Sequence, residues 1–144
     1  MTTTTASVTA PVSTRVSAPA SAHLLAATGR VLIAAIFLLS GIGKIANPEA
    51  TIGYIASAGL PFAPAALIAA ALIEIGGGLA LIAGFRTRFV ALLLAGFSVI
   101  AALAFHAHFS DQNQLIHFLK NLAMAGGLLQ VAAFGSGKIG LDQR

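Results

Sequence analysis

Four long apolar stretches organise the chain, at about residues 24–46, 65–84, 89–109 and 115–134, each broken by few polar residues. About 20 residues suffice to cross the hydrocarbon core of a bilayer, so each stretch is long enough to span it. Ala, Leu and Ile fill them without the alternating pattern of a barrel strand. In lipid every backbone polar group must be paired within its own segment, so the four stretches are predicted to be helices. The links at 85–88 and 110–114 are short, which makes spans two and three, and then three and four, antiparallel hairpins. The pattern therefore predicts an all-α integral membrane protein, an antiparallel bundle of four transmembrane helices.

The longer link, 47–64, carries its own signals. Asn47-Pro48-Glu49 offers a cap residue, a proline at the first helical position and an acid near the positive helix end. A short interfacial helix over about 48–58 is expected between spans one and two, with Ile52 and Ile55 turned to lipid and Tyr54 at the interface. Gly59-Leu60-Pro61 stops that helix and Pro64 starts the next. Residues 1–22, rich in Thr, Ser, Ala and Pro and lacking helical periodicity, read as a disordered tail. They show neither the basic start nor the apolar core of a cleavable signal peptide. The membrane domain then covers 23–136, and residues 137–144 form a short C-terminal tail.

Composition agrees with a membrane protein. Of 144 residues, 58% are hydrophobic and 8% charged, with a mean hydropathy of +0.93, whereas soluble domains carry about 25% charged residues. The absence of cysteine excludes disulfides, thiol redox couples, iron–sulfur clusters and covalent haem. No dinucleotide fingerprint is present either. The net charge of +4 lies in basic residues scattered at helix ends, with almost no aromatic neighbours, which argues against nucleic acid as a partner. Arg15, Arg30, Arg86, Arg88, Lys138 and Arg144 alternate with links 47–64 and 110–114, which hold no Lys or Arg. This asymmetry predicts that both termini and the 85–88 link are cytoplasmic.

Glu74 stands in the middle of the second span. A charge at that depth costs roughly 2.5–3.5 kcal/mol, so the side chain should face protein or water rather than lipid. Lys44, His106, His108, His117, Lys120 and Asn121 all fall in the outer half of the bundle, while Arg30 is deep on the cytoplasmic side. At about 100° per residue, Arg30, Phe37, Gly41 and Lys44 share one face of span one. Gly77 and Gly78, one turn beyond Glu74, would let a neighbouring backbone approach closely. Glu74 is therefore expected to meet Lys44, Lys120 or His106 in the bundle interior.

Two readings of that cluster stay open: an ion pair that locks the helices, or a group that handles protons or a ligand. Lys44 and Lys120 either pair inward or snorkel to the headgroups. His106 and His108 point to different sides, and His106 can meet His117 across the 110–114 turn. Without a third clear ligand no metal site is expected there. Asn121 reads as a group that satisfies backbone or side chains between helices, and Arg30 as an anchor at the cytoplasmic end.

Gly29-Arg30, Phe37-Leu-Leu-Ser-Gly41-Ile-Gly-Lys44, Gly59-Leu-Pro61, Glu74-Ile-Gly-Gly-Gly-Leu79, Gly84-Phe-Arg-Thr-Arg88 and Lys120-Asn-Leu-Ala-Met-Ala-Gly126 form an ordered set. Together they resemble the DoxX family over roughly residues 25–135. The resemblance implies a small four-helix protein of the bacterial or archaeal inner membrane. The family takes its name from subunits linked to thiosulfate:quinone oxidoreductase and terminal quinol oxidase assemblies. It supplies no agreed catalytic residues; the polar positions that match its pattern are Arg30, Lys44, Glu74, Arg86, His106, Lys120 and Asn121. It implies an accessory component of a quinone-linked redox system. In that system Lys44, Lys120 and Asn121 would bind a quinone head group, Glu74 and His106 would relay protons, and a redox partner protein would supply electrons. The alternatives are a non-catalytic scaffold that docks a partner and a small-molecule transporter. The chain lacks the repeat pairs and broken helices usual in transporters, for which an oligomer would have to compensate.

Overall fold

The computed structural model describes residues 19–142. It contains five helices: α1 (Ala20–Ala46), α2 (Pro48–Ser57), α3 (Ala63–Ala83), α4 (Thr87–Phe105) and α5 (Gln112–Phe134). All but α2 are long and apolar enough to cross a membrane. The architecture is the expected four-helix membrane bundle with a short helix between the first two spans. Large apolar side chains such as Leu32, Leu39, Leu72, Ile100 and Leu129 point outward, as a lipid environment requires.

Several boundaries differ from the sequence expectation. The expected tail over 1–18 lies outside the described residues, and α1 begins at Ala20 rather than Leu24. Pro19, with φ −62°, precedes Ala20-Ser21-Ala22, small residues that propagate a helix at little cost. α4 ends at Phe105, four residues short of the expected end of span three. α5 starts three residues early, because the Asp111 carboxylate accepts the backbone N–H of Asn113 at 2.8 Å. His106 and His108 consequently lie in the connection, not in the last turn of a helix.

The helices pack as two pairs. α1 lies along α3 and α4 along α5, α3 and α4 join the pairs, and α1 and α5 touch sparingly. The main core gathers Ala34 and Phe37 from α1, Leu81 from α3, Val90, Ala91, Leu94 and Ala95 from α4, and Ala125 and Leu128 from α5. Small residues set the spacing, as lipid offers no hydrophobic force to drive helices together. A Cβ at Gly78 would lie 2.9 Å from Leu38 Cδ2, and one at Gly77 2.9 Å from Leu94 Cδ2. At Gly41 it would lie 2.7 Å from Ile75 Cγ1 and 3.2 Å from Glu74 Cβ. Gly41→Ala should therefore push α1 off α3 and cost roughly 1–3 kcal/mol, read by unfolding in detergent. Unchanged stability would show that the two helices have room to spare.

The short helix α2 corrects one expectation. Ile55 is buried against Ala63 and Leu67, with Ile52, Ala66 and Phe105 packed around them. Ile52 and Ile55 thus face the bundle rather than lipid, while half-exposed Tyr54 stacks on Phe105 with centroids 5.2 Å apart. The short 58–62 link, turned by Gly59 (φ +77°) and Phe62 (φ +56°), folds α2 onto the first turns of α3, where its isoleucines meet Leu67.

After α5 the chain folds back across the α3–α4 turn. Leu141 N–H donates to Ala83 O at 3.0 Å and Asp142 N–H to Gly84 O at 2.8 Å. Gly84, at φ +65°, is required here, because a Cβ would stand 2.6 Å from Gly140 Cα. Arg30, buried at 2% exposure, donates to Ser136 O at 3.0 Å and to Ile139 O. The Asp142 carboxylate accepts from Arg86 N at 2.8 Å and from Thr87 N, capping α4 from a residue far along the chain.

Candidate functional site

Ser40 and Lys44 stand one turn apart on α1 and face Glu74 on α3. The Lys44 ammonium lies 2.9 Å from Glu74 Oε1 and 2.8 Å from Oε2, and it donates to Ser40 Oγ at 2.7 Å. Ser40 Oγ in turn donates to Glu74 Oε1 at 3.0 Å. Glu74 is only 4% exposed, yet its carboxylate is matched by a cation and a hydroxyl, which is the condition under which a buried charge is tolerated. Of the three partners foreseen for Glu74, Lys44 is the one in contact.

The unit forms one wall of a cavity of about 310 Å³ between α1, α3, α4 and α5. Ile36, Phe37, Phe97 and Met124 give it apolar surfaces. His106, His117, Lys120, Asn121 and Ser98 complete its polar lining. The His106 and His117 rings stack with centroids 5.1 Å apart, meeting across the turn as their spacing allowed. His106 Nδ1 lies 2.8 Å from Gln114 Oε1. The amide oxygen accepts from the ring N–H. Asn121 Nδ2 donates to His117 O at 3.0 Å, so one of its two amide hydrogens remains uncommitted. Lys120 has no carboxylate partner among the described residues, whose one salt bridge is Lys44–Glu74. His108 is exposed and does not line the cavity.

The structure thus brings Glu74, His106, Lys120 and Asn121 to one cavity, with Lys44 behind Glu74. None of His106, Lys120 and Asn121 is bonded to the carboxylate. Ser40 escaped the sequence reading, although its position one turn before Lys44 on the same face was a usable signal. Gln114 and Phe97 gave none, since nothing in their surroundings marks them off from ordinary helix residues, whereas Met124 lies one turn after Lys120 on the same face. Chemically, the cavity offers hydrogen-bond donors beside apolar and aromatic surface, the combination that seats a flat ligand with polar edges. Since α1 and α5 contribute to its lining but touch each other little, it lies beside a sparse helix contact.

No solved structure matches this chain. Two curated relatives from Escherichia coli (strain K12) are similar to it. Inner membrane protein YqjF is 38% identical over 114 residues, covering 79% of this chain and 86% of YqjF. Inner membrane protein YphA is 31% identical over 131 residues, covering 87% and 93% of the two chains. The DoxX family model matches residues 25–107, which include most of α1 and all of α2, α3 and α4, with Lys44, Glu74 and His106. With its four membrane-spanning helices and inner-membrane relatives, this chain is a multi-pass membrane protein that belongs to the DoxX family.

Proposed function

We propose that the protein is an accessory component of a quinone-linked redox system of the bacterial inner membrane, and that its cavity receives the quinone head group. The observation that carries this reading is the cavity itself: about 310 Å³, with donors beside Phe37, Phe97 and Met124, next to the sparse α1–α5 contact. That volume lies at the lower end of the range for small-molecule sites, about 300–1,000 Å³. A bound quinone would supply the capacity to take up electrons and protons together, with electrons delivered by a partner protein.

In this reading the residues have distinct tasks. Lys120 and the free Asn121 amide hydrogen donate to the carbonyl oxygens of the ring. His106, held by Gln114 at Nδ1, exchanges protons with the ligand through its other ring nitrogen. Lys44 is occupied by Ser40 and Glu74, so it positions the carboxylate instead of touching the ring. The same closed unit favours a second reading, in which the polar cluster locks the helices of a non-catalytic scaffold. For orientation, Arg86, Arg88 and Lys138 surround one groove, which supports placing that end in the cytoplasm.

The test is mass spectrometry of the organic extract of protein purified in mild detergent, followed by quinone titration. Stoichiometric quinone, weakened about tenfold or more in Lys120→Ala and Asn121→Ala, is the expected result. A protein that neither carries nor binds quinone would leave the scaffold reading.

A further inference from the structure

The bundle has a second and larger concavity at the opposite end, about 1300 Å³, where the α3–α4 turn, the C-terminal segment and the first turn of α1 meet. We infer that this groove binds the phosphate headgroup of an anionic phospholipid. Three cations line it: Arg86 and Arg88 at the start of α4, and Lys138 beyond α5. None has a carboxylate partner among the described residues. Asp142 also lines the groove, but its two oxygens accept the backbone N–H groups of Arg86 and Thr87. It keeps its charge at the start of α4, and the three cations outnumber it, so the groove holds an excess of positive charge.

Two further observations point to a phosphate. His23 Nδ1 accepts the Lys138 backbone N–H at 3.4 Å, which leaves the ring proton on Nε2, a buried nitrogen with no acceptor among the described residues. Gly135 keeps the groove floor open, because a Cβ there would stand 3.3 Å from Arg88 Nε. The rim points to a lipid as the source of the phosphate. Phe89 and Phe134 flank the cations with 66% and 78% of their surfaces uncovered. A free phosphate would leave both rings unused, whereas a phospholipid lays acyl chains on them while its headgroup meets the arginines. The choline of a zwitterionic lipid would add a positive charge to a groove that already holds three. Basic recesses between transmembrane helices take anionic headgroups on these grounds.

The site shares no residue with the quinone cavity and stands independently of it. Native mass spectrometry of the delipidated, full-length protein in mild detergent tests it, with dioleoylphosphatidylglycerol, dioleoylphosphatidylcholine and inorganic phosphate as the added probes. Phosphatidylglycerol should be retained at least tenfold better than phosphatidylcholine. Each of Arg88→Gln and Lys138→Gln should weaken its retention about fivefold, and Lys138→Arg should preserve it. Lys138→Gln carries the test if Arg88→Gln fails to insert, since it lies after the last span and leaves the α3–α4 turn intact. Equal retention of the two lipids, or retention unchanged in Lys138→Gln, would overturn the proposal. Displacement of the lipid by equimolar inorganic phosphate would overturn it as well.

Discussion

Lys44→Met should destabilise the bundle by about 3–5 kcal/mol, and adding Glu74→Leu should restore most of that loss. Removing the lysine leaves a carboxylate that is 4% exposed with Ser40 as its one donor. Replacing both partners with apolar residues removes the uncompensated charge along with the pair. The two single changes should also differ. The Lys44 side chain is 24% exposed against 5% for Glu74, so in Glu74→Leu the lysine can extend toward the headgroups. Glu74→Leu should therefore cost less than Lys44→Met. Unfolding in mixed micelles followed by circular dichroism gives all three values. Equal losses for the two single variants, or a double variant no more stable than Lys44→Met, would show that the pair is not desolvated as described.

Arg30→Met is expected to release the C-terminal segment from the bundle. The guanidinium is 2% exposed and holds the carbonyls of Ser136 and Ile139 against α1. Hydrogen bonds from a charged donor contribute about 1.5–3 kcal/mol each, so losing two should speed amide exchange at Leu141 and Asp142 at least tenfold. The effect should extend to α4, because a detached segment withdraws Asp142 from the N–H groups of Arg86 and Thr87. Hydrogen exchange with peptide resolution reads both regions at once. Protection unchanged over 136–142 would mean that the backbone bonds to Ala83 and Gly84 hold the segment without Arg30.

What the sequence made legible was decided by the solvent and by helical geometry. Lipid permits only helices at this length and apolarity, so the four spans could be read directly. The shared face of Arg30, Phe37 and Gly41 on α1 is a buried face in the structure, since 100° per residue holds in any α-helix. Lys44 was one of three partners foreseen for Glu74, and choosing among them required the α1–α3 register that Gly41 and Gly78 set. The direction of Ile52 and Ile55 was misread because amphipathicity marks an apolar face without saying whether lipid or protein covers it. The start of α5 depended on one cap, Asp111, in a polar link whose composition does not fix where the next helix begins. The return of residues 136–142 left no periodic trace, as its contacts are backbone bonds and a few side chains, Arg30, His23 and Asp142, that pair with backbone groups far along the chain. The cavity combined a legible part, the polar residues of the outer half, with walls such as Phe97 that only the packing of four helices could assign.

The cap on α4 also fixes an order of events during synthesis. Thr87 emerges 55 residues ahead of Asp142, and at about 5–20 residues per second that interval lasts roughly 3–11 s. Throughout it the third span must enter the membrane with its leading amides bound to water or headgroups. The last span must also be made before those amides acquire their permanent acceptor. The α3–α4 hairpin is thus inserted first and sealed afterwards, and the seal is available only to a chain whose fourth span has already been delivered.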